Sequence, residues 1–148
     1  MQAHAAARAG DPVSAFGGIV ALTEPVDLAL AEDLVANPRA DVLLAPGFEP
    51  AALELLSGRR KSMRVLEVPE LVRTPLDIRP VADAYLVQVR DPLVASRESW
   101  TVATGREPTE AEWDDALIAW AVCARTWSNA VVIVKSGQAV GVGGGQPN

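Results

Sequence analysis

The stretch Trp127-Ser-Asn-Ala-Val-Val-Ile-Val-Lys-Ser-Gly-Gln-Ala-Val-Gly-Val-Gly-Gly-Gly-Gln146 points to the fold class, because two strands and a glycine loop follow one another in it. Its apolar run, Ala130 to Val134, is typical of a strand buried on both faces. Ser136-Gly137 predicts a tight turn, and Gln138 to Val142 predicts the returning strand of a hairpin. The glycines at 143–145 carry no Cβ, so their backbone can approach a ligand closely.

Both ends of the chain carry incomplete helix signals. A glycine loop after a strand normally opens a helix whose free N–H groups hold an anion, and that helix would begin beyond Asn148. At the other end, Met1-Gln-Ala-His-Ala-Ala-Ala-Arg-Ala-Gly10 predicts a helix that stops at Gly10 but starts without a capping residue. We therefore expect a fold that is incomplete at both ends.

Length, composition and charge limit the classes to which the protein can belong. The 148 residues are 49% hydrophobic, which suits one globular domain over 1–148. A net charge of -6 argues against nucleic acid as a partner, and we expect Arg59-Arg60-Lys61 to be a solvated loop rather than an anion site. No apolar run reaches the roughly 18 residues of a membrane span, so no membrane partner is expected. A single cysteine, Cys123, excludes an internal disulfide and fits a reducing, cytoplasmic setting.

The first half of the chain alternates strand and helix patterns, which predicts an α/β protein. Apolar runs between turn residues predict the strands, and apolar residues at helical spacing predict the helices. A proline-rich connection before the last of these strands carries no predicted element. In chain order, the predictions are a strand after Gly17-Gly18, a helix over 27–35 that Asn37-Pro38 ends, a strand over 42–45, a helix over 51–57 that Gly58 stops, and strands over 64–68 and 84–89.

The clearest helix begins at Thr109, because Thr109-Glu-Ala-Glu112 matches a capping box. Apolar residues follow at helical spacing and include Trp113, Trp120 and Trp127. This stripe predicts packing on a sheet rather than a stacking platform for a heterocycle. Cys123 shares the helix and is predicted to be a buried, inert side chain.

Few residues suggest chemistry by themselves. Gly17 and Gly18 either satisfy a bulge or a positive φ, or admit a ligand. Asp41 is either an exposed turn carboxylate or an acceptor for ligand hydroxyls or amines. His4 is the only histidine, so it cannot form a histidine pair for a metal, and no catalytic role is expected for it. The sequence lacks the Gly-x-Ser-x-Gly, Walker A, His-Glu-x-x-His and Cys-x-x-Cys patterns.

Five motifs, in order, resemble those of one family. Together they look like the transformylase region of the bifunctional purine biosynthesis enzymes, AICAR formyltransferase/IMP cyclohydrolase. The resemblance covers nearly the whole chain, so 1–148 is expected to be part of a transformylase domain, without the cyclohydrolase domain. The motifs are Asp11-Pro-Val-Ser-Ala-Phe-Gly-Gly18, Ala45-Pro-Gly-Phe48, Pro108-Thr-Glu-Ala-Glu-Trp113, Ser128-Asn-Ala130 and Val140-Gly-Val-Gly-Gly-Gly-Gln146.

The resemblance implies transfer of a formyl group from 10-formyltetrahydrofolate to the 5-amino group of AICAR, in purine synthesis. It implies a three-layer α/β/α sheet similar to the cytidine deaminase fold, but without zinc or another metal. It also implies active sites at a homodimer interface, with AICAR and the folate as the small-molecule partners.

Three positions match substrate-binding residues of the family. Gly17 would lie against the AICAR nucleotide, Asp41 would bind AICAR, and Asn129 would both bind substrate and act near the reacting groups. The family's Lys-His motif is not in these residues, and His4 does not replace it. The isolated chain is therefore expected to be inactive, and the second hypothesis is a non-catalytic module for nucleotide binding or dimerisation. Ala82-Asp83 also departs from the family, where many relatives have two glycines.

Overall fold

The computed structural model describes residues 2–37, 40–70, 74–93 and 96–145, and the chain divides into two compact units, 1–71 and 72–148. The α/β class is confirmed. The first unit contains α1 (Gln2–Ala9), β1 (Ile19–Ala21), α2 (Leu28–Ala36), β2 (Val42–Ala45), α3 (Pro50–Arg59) and β3 (Arg64–Glu67). The second contains β4 (Leu76–Val81), β5 (Ala84–Val89), a 3₁₀ turn (Arg97–Ser99), α4 (Glu110–Cys123), β6 (Val131–Lys135) and β7 (Gln138–Gly143).

The first unit is a parallel sheet with the strand order β1-β2-β3. Helices α2 and α3 connect successive strands and pack against each other, so both cover the same face of the sheet. Leu43 on the middle strand, Leu56 on α3 and Val26 before α2 are fully buried between these layers. Their burial removes apolar surface from water and forms the core of this unit.

The opposite face of this sheet is open in the described residues. Ile19 on β1 is 70% exposed and Leu66 on β3 is 46% exposed, whereas Leu43 on the other face is fully buried. Successive strand residues alternate between faces, so one covered and one open face produce this contrast. The described part of the unit therefore has two layers, where the resemblance implied three.

Side chains from outside α2 satisfy both of its ends. At the N-terminus, Oδ1 of Asp27 accepts a hydrogen bond from the Leu30 N–H at 2.8 Å. At the C-terminus, Nη2 of Arg60 donates to the carbonyl oxygens of Leu34, Val35 and Asn37 at 3.2, 2.5 and 2.6 Å. These carbonyls have no partner within the helix, so the guanidinium stabilises the helix end and ties it to α3. Arg60 is thus a structural residue, not part of a solvated loop.

Helix α3 runs through Gly58 to Arg59, so the prediction that Gly58 stops it was wrong. The Arg60 N–H donates to the Leu56 carbonyl at 2.8 Å, which closes the last turn. Glycine lowers helix preference by only about 1 kcal/mol. The contacts that Arg60 makes with α2 hold the last turn in place, and the local sequence does not show them.

In the second unit, the predicted hairpin is confirmed as β6 and β7. Oδ2 and Oδ1 of Asp115 on α4 accept hydrogen bonds from the Ser136 and Gly137 N–H groups at 2.9 and 2.7 Å, which ties the turn to the helix. Burial of β6 on both faces was a wrong prediction. Val131 is 67% exposed and Ile133 is 59% exposed, because α4 covers one face only in the described residues.

The proline-rich connection contains a strand that was not predicted, β4. Pro80 in this strand pairs with Tyr85 of β5. Both strands of a two-stranded ribbon are edges, so the missing N–H of a proline can face outward without breaking the ladder. Ala82 adopts a φ of 53° in the two-residue turn, the left-handed region that glycine would adopt more easily.

The predicted stripe of tryptophans on α4 is only partly confirmed. Trp113 and Trp120 of α4 pack on Trp100, with ring centroids 6.0 and 5.6 Å away. Trp127 lies beyond the end of the helix and is 77% exposed. Cys123 is half-buried beside this cluster, where it was predicted to be buried.

The capping box of α4 yields a prediction about acid stability. Oε2 of Glu112 accepts the Thr109 N–H at 2.8 Å, and both carboxylate oxygens accept from the Arg106 guanidinium at 2.9 Å. These bonds, with Arg106 first and Thr109 second, lower the pKa of Glu112 from 4.5 to about 2. A lowered folded-state pKa stabilises the fold fully above pH 4.5, and this stabilisation is lost as the pH falls towards 2.

We therefore expect Glu112→Gln to unfold at lower urea concentration than the unsubstituted chain at neutral pH. The difference should shrink as the pH falls from 4.5 towards 2. Glu107→Gln is the matched control, because it removes the same charge nearby from a side chain with no hydrogen bond among the described residues. A difference for Glu112→Gln that does not change with pH would contradict this account.

Candidate functional site

Gly17 and Asp41, two of the three predicted site residues, lie together at the amino edge of the parallel sheet. Gly17 comes two residues before β1, and Asp41 comes directly before β2. A Cβ atom on Gly17 would lie 3.4 Å from Oδ2 of Asp41. The N–H of Asp41 donates to the Gly18 carbonyl at 2.9 Å. The parallel pairing of β1 and β2 therefore brings a bare backbone against a carboxylate.

The turn that begins at Asp11 positions Gly17. Oδ1 of Asp11 accepts the Ser14 N–H at 3.0 Å, and its backbone carbonyl accepts the Ala15 N–H at 3.1 Å. The hydrogen bond from the Ser14 backbone lowers the pKa of Asp11, because it favours the charged carboxylate. The chain then enters β1 through Gly17, whose φ of 73° lies in the left-handed region. The motif thus has a local structural role in addition to any ligand contact.

Asn129, the third predicted site residue, belongs to the second unit. It lies in the connection between α4 and β6, two positions after Trp127, and its own side chain is exposed. Its preceding peptide bond, Ser128–Asn129, is cis. The amide forms no hydrogen bond with the described residues, so both its donor and its acceptor are available to a ligand.

The glycine loop after β7 makes close contact with its own chain. A Cβ on Gly144 would lie 2.2 Å from Cγ2 of Thr126 and 3.0 Å from the Trp127 carbonyl oxygen. The Gly145 N–H donates to that carbonyl at 2.8 Å. Packing against the segment after α4 therefore explains the need for glycine at 144 without a ligand. Gln146, which ends the motif, lies outside the described residues.

His4 has a partner that the sequence did not indicate. Its Nδ1 lies 2.8 Å from Oδ2 of Asp33 on α2, and Oδ1 of Asp33 accepts from Nδ2 of Asn37 at 2.7 Å. The two members of this pair are 29 positions apart in the chain, so no local pattern could show the contact. His4 anchors α1 to α2 through this contact.

Over residues 2–37, 40–70, 74–93 and 96–145, no group of three or more His, Cys, Asp and Glu side chains could hold a metal ion. Within the same residues, no helix has the length and apolar character needed to cross a membrane.

Comparison with known proteins agrees with the motifs. The sequence model of the family described as the AICARFT/IMPCHase bienzyme matches residues 1–148. The chain belongs to this family. Similar relatives, each named bifunctional purine biosynthesis protein PurH, come from Anaeromyxobacter sp. (strain Fw109-5), with 44% identity over 98% of this chain, and from Nostoc punctiforme, with 39% identity over 99%. The protein of that name from Staphylococcus saprophyticus is 42% identical over 93% of the chain.

The match covers a limited part of these PurH relatives. The chain spans 29% of the Anaeromyxobacter protein and 28% of the Nostoc and Staphylococcus proteins. Membership of the AICARFT/IMPCHase family thus applies to all 148 residues, while most of each relative lies outside the matched segment.

The conformation of Gly17 yields a prediction about stability. Alanine costs roughly 1–2 kcal/mol in the left-handed region, so Gly17→Ala should destabilise the first unit by that amount. Gly58→Ala is the matched control in the same unit, because Gly58 lies within α3 and a Cβ there would meet open space. It should stabilise the unit by about 0.4–1 kcal/mol.

Hydrogen exchange of the β1 and β2 amides would measure both changes, since these strands belong to the first unit. Equal protection of the Gly17→Ala chain and the unsubstituted chain would show that the left-handed conformation is not required.

Proposed function

We propose that this chain supplies part of the AICAR-binding site of an AICAR formyltransferase that uses 10-formyltetrahydrofolate as formyl donor. The observation that carries the proposal is the pairing of Gly17, in its left-handed conformation, with the Asp41 carboxylate. Family membership over all 148 residues supports it. In the proposed reaction, the AICAR amine bonds to the formyl carbon, the bond from that carbon to the folate nitrogen breaks, and the amine proton passes to the folate.

Gly17 and Asp41 have complementary properties for this role. Gly17 has no side chain, so a planar or sugar ring can lie directly against its backbone. The Asp41 carboxylate is half-buried and accepts hydrogen bonds from the hydroxyl or amine donors of a nucleotide. Both are held at the ends of paired strands, which limits the entropy lost on binding.

Asn129 is proposed to act on the reacting groups. Its exposed amide has no hydrogen-bond partner in the described residues, so it can orient the amine or stabilise charge on the formyl oxygen. Proton transfer would come from groups outside these 148 residues. The one histidine, His4, is engaged with Asp33.

The wider architecture is part of the same proposal. We infer a three-layer sheet of the cytidine deaminase type, in which a further layer covers Ile19 and Leu66 on the open face of β1, β2 and β3. We also propose a homodimer, from the resemblance to the family, and a cytoplasmic location. Burial of such apolar side chains would stabilise the contact with a further layer or the contact between two subunits.

A second candidate function is a non-catalytic module for nucleotide binding or dimerisation, and the β4–β5 ribbon favours the association role. Paired residues of an antiparallel ladder project to the same face. One face of this ribbon is formed by the pairs Leu76 with Val89, Ile78 with Val87 and Pro80 with Tyr85. All six side chains are exposed in the described structure, as expected for a contact surface.

The proposal predicts binding without turnover for the 148-residue chain. Calorimetric titration with AICAR should show binding, while tetrahydrofolate release should stay below that of an intact PurH, since general acid–base catalysis is typically worth about 10²–10⁴-fold. Asp41→Asn should weaken AICAR binding by roughly 10–100-fold, the value of a charge-assisted hydrogen bond. Glu54→Gln, which removes the same charge from the exposed surface of α3, is the control.

Three results would decide between the candidates. Absence of AICAR binding, or an equal loss in both variants, would remove Asp41 from the site. Binding with turnover equal to that of PurH would contradict the need for the Lys-His motif. Stable self-association without any nucleotide binding would favour the dimerisation module.

The role of Asn129 requires a protein that turns over. In a chimera, this chain would replace the matching segment of the Anaeromyxobacter PurH, and the unsubstituted chimera would be the reference. If Asn129 stabilises developing charge, Asn129→Ala should lower kcat by about 10²–10³-fold, with little change in melting temperature. If it only supports the start of β6, the free energy of unfolding should fall by about 1 kcal/mol and kcat should stay unchanged.

Gln2→Ala, which removes an exposed amide from α1, is the control for Asn129→Ala. A lowered melting temperature with unchanged kcat would remove Asn129 from the active site.

A further inference from the structure

The connection that contains Asn129 is held at both ends by the glycine loop and the strand before it. At its start, the Trp127 carbonyl accepts a hydrogen bond from the Gly145 N–H at 2.8 Å. At its end, the first residue of β6 pairs with the last residue of β7, Gly143. Residues 127–131 therefore form a bridge between two fixed points, with Asn129 at its centre.

Thr126 fixes the distance between this bridge and the glycine loop. Its Oγ1 donates to the Val122 carbonyl at 2.8 Å, and its N–H donates to the Cys123 carbonyl at 3.0 Å, so the end of α4 holds it in place. A Cβ on Gly144 would lie 2.2 Å from Cγ2 of Thr126, well inside the roughly 3.5–4.0 Å at which carbon atoms pack. The contact between this methyl group and the bare backbone of Gly144 therefore sets how closely the loop approaches the bridge.

The side chain of Asn129 depends on the bridge for its position. Its amide is exposed and forms no hydrogen bond with the described residues. Packing and side-chain hydrogen bonds usually hold a functional group in its productive geometry, and here the backbone must do so instead. Misplacement of a reacting group by about 1 Å can lower a rate by roughly 10²-fold. A small shift of the bridge is therefore enough to affect a reaction at this amide.

We propose that Thr126 and Gly144 are positioning residues for Asn129 in the formyl transfer. This inference rests on the proposed function, in which the Asn129 amide acts on the reacting groups. The contact between the Thr126 methyl group and the Gly144 backbone holds the bridge at one distance from the glycine loop, and the bridge carries the amide. A side chain at position 144 pushes the two segments apart, which moves the amide without removing it.

The position of the bridge is measured without turnover, by NMR of the 148-residue chain. Gly144→Ala should shift the resonances of the Asn129 backbone and side-chain amides. Adding Thr126→Ser should reverse part of this shift, because serine keeps the hydroxyl that donates to Val122 and lacks the methyl group. The reversal is partial, since the added Cβ would still lie 3.0 Å from the Trp127 carbonyl oxygen. A shift caused by the alanine methyl group alone would persist in the double variant.

The effect on catalysis is measured in the chimera with the Anaeromyxobacter PurH. Gly144→Ala should lower kcat by roughly 10–100-fold, with a much smaller change in the KM for AICAR. In the Asn129→Ala chimera, the same substitution should change kcat little further, because the group that it displaces is already absent. A purely structural role of Gly144 would instead lower kcat to the same degree with and without the Asn129 amide.

Gly105→Ala is the matched control, because a Cβ at Gly105, in the same unit, would meet open space. It should leave the amide resonances and kcat close to those of the unsubstituted protein. Unchanged Asn129 resonances in Gly144→Ala, or additive effects of Gly144→Ala and Asn129→Ala on kcat, would overturn the positioning role and leave the proposed function standing. If Asn129→Ala itself leaves kcat unchanged, the proposed role of Asn129 fails, and the positioning role fails with it.

Discussion

The burial of Leu43 on the middle strand is the constraint on which the first unit depends. Strand β2 pairs with both β1 and β3, and Leu43 is fully buried in the core with Leu56 and Val26. A shift of one residue would turn Leu43 to the open face and expose its apolar surface to water. The register is therefore strongly specified. Asp41 is two residues before Leu43, so the same register also fixes the position of Asp41 at the start of β2.

The candidate site follows from this register. The hydrogen bond from the Asp41 N–H to the Gly18 carbonyl lies at the start of the parallel ladder, so the register that the core fixes also aligns the site. Site and core also differ in character. The core contains only apolar side chains among the fully described buried residues, whereas the edge combines a bare backbone with a carboxylate. Such a combination suits a ligand with hydroxyl or amine donors.

Two glycines show how one residue type serves different needs. Gly17 adopts a left-handed φ and faces the Asp41 carboxylate, so its missing side chain leaves room beside a polar group. Gly144 has no room for a side chain, because Thr126 already lies where a Cβ would be. The second glycine is explained by packing within the chain, and only the first remains a candidate for ligand contact. A count of glycines in the sequence could not separate them.

The sequence by itself determined the elements whose signals are local. The capping box at Thr109 and the turn at Ser136-Gly137 each act within a few positions, so pattern and structure agree there. Motifs also identified the family and named Gly17 and Asp41 as candidates. Only the tertiary structure decided which residues meet across distant segments. Asp41 contacts Gly17, and Asp33 contacts His4. Arg60 contacts the end of α2, because helix packing brings the C-terminal ends of α2 and α3 together. These contacts join positions more than twenty residues apart. A local sequence pattern spans only a few positions, so it cannot indicate which distant segment will pack against it.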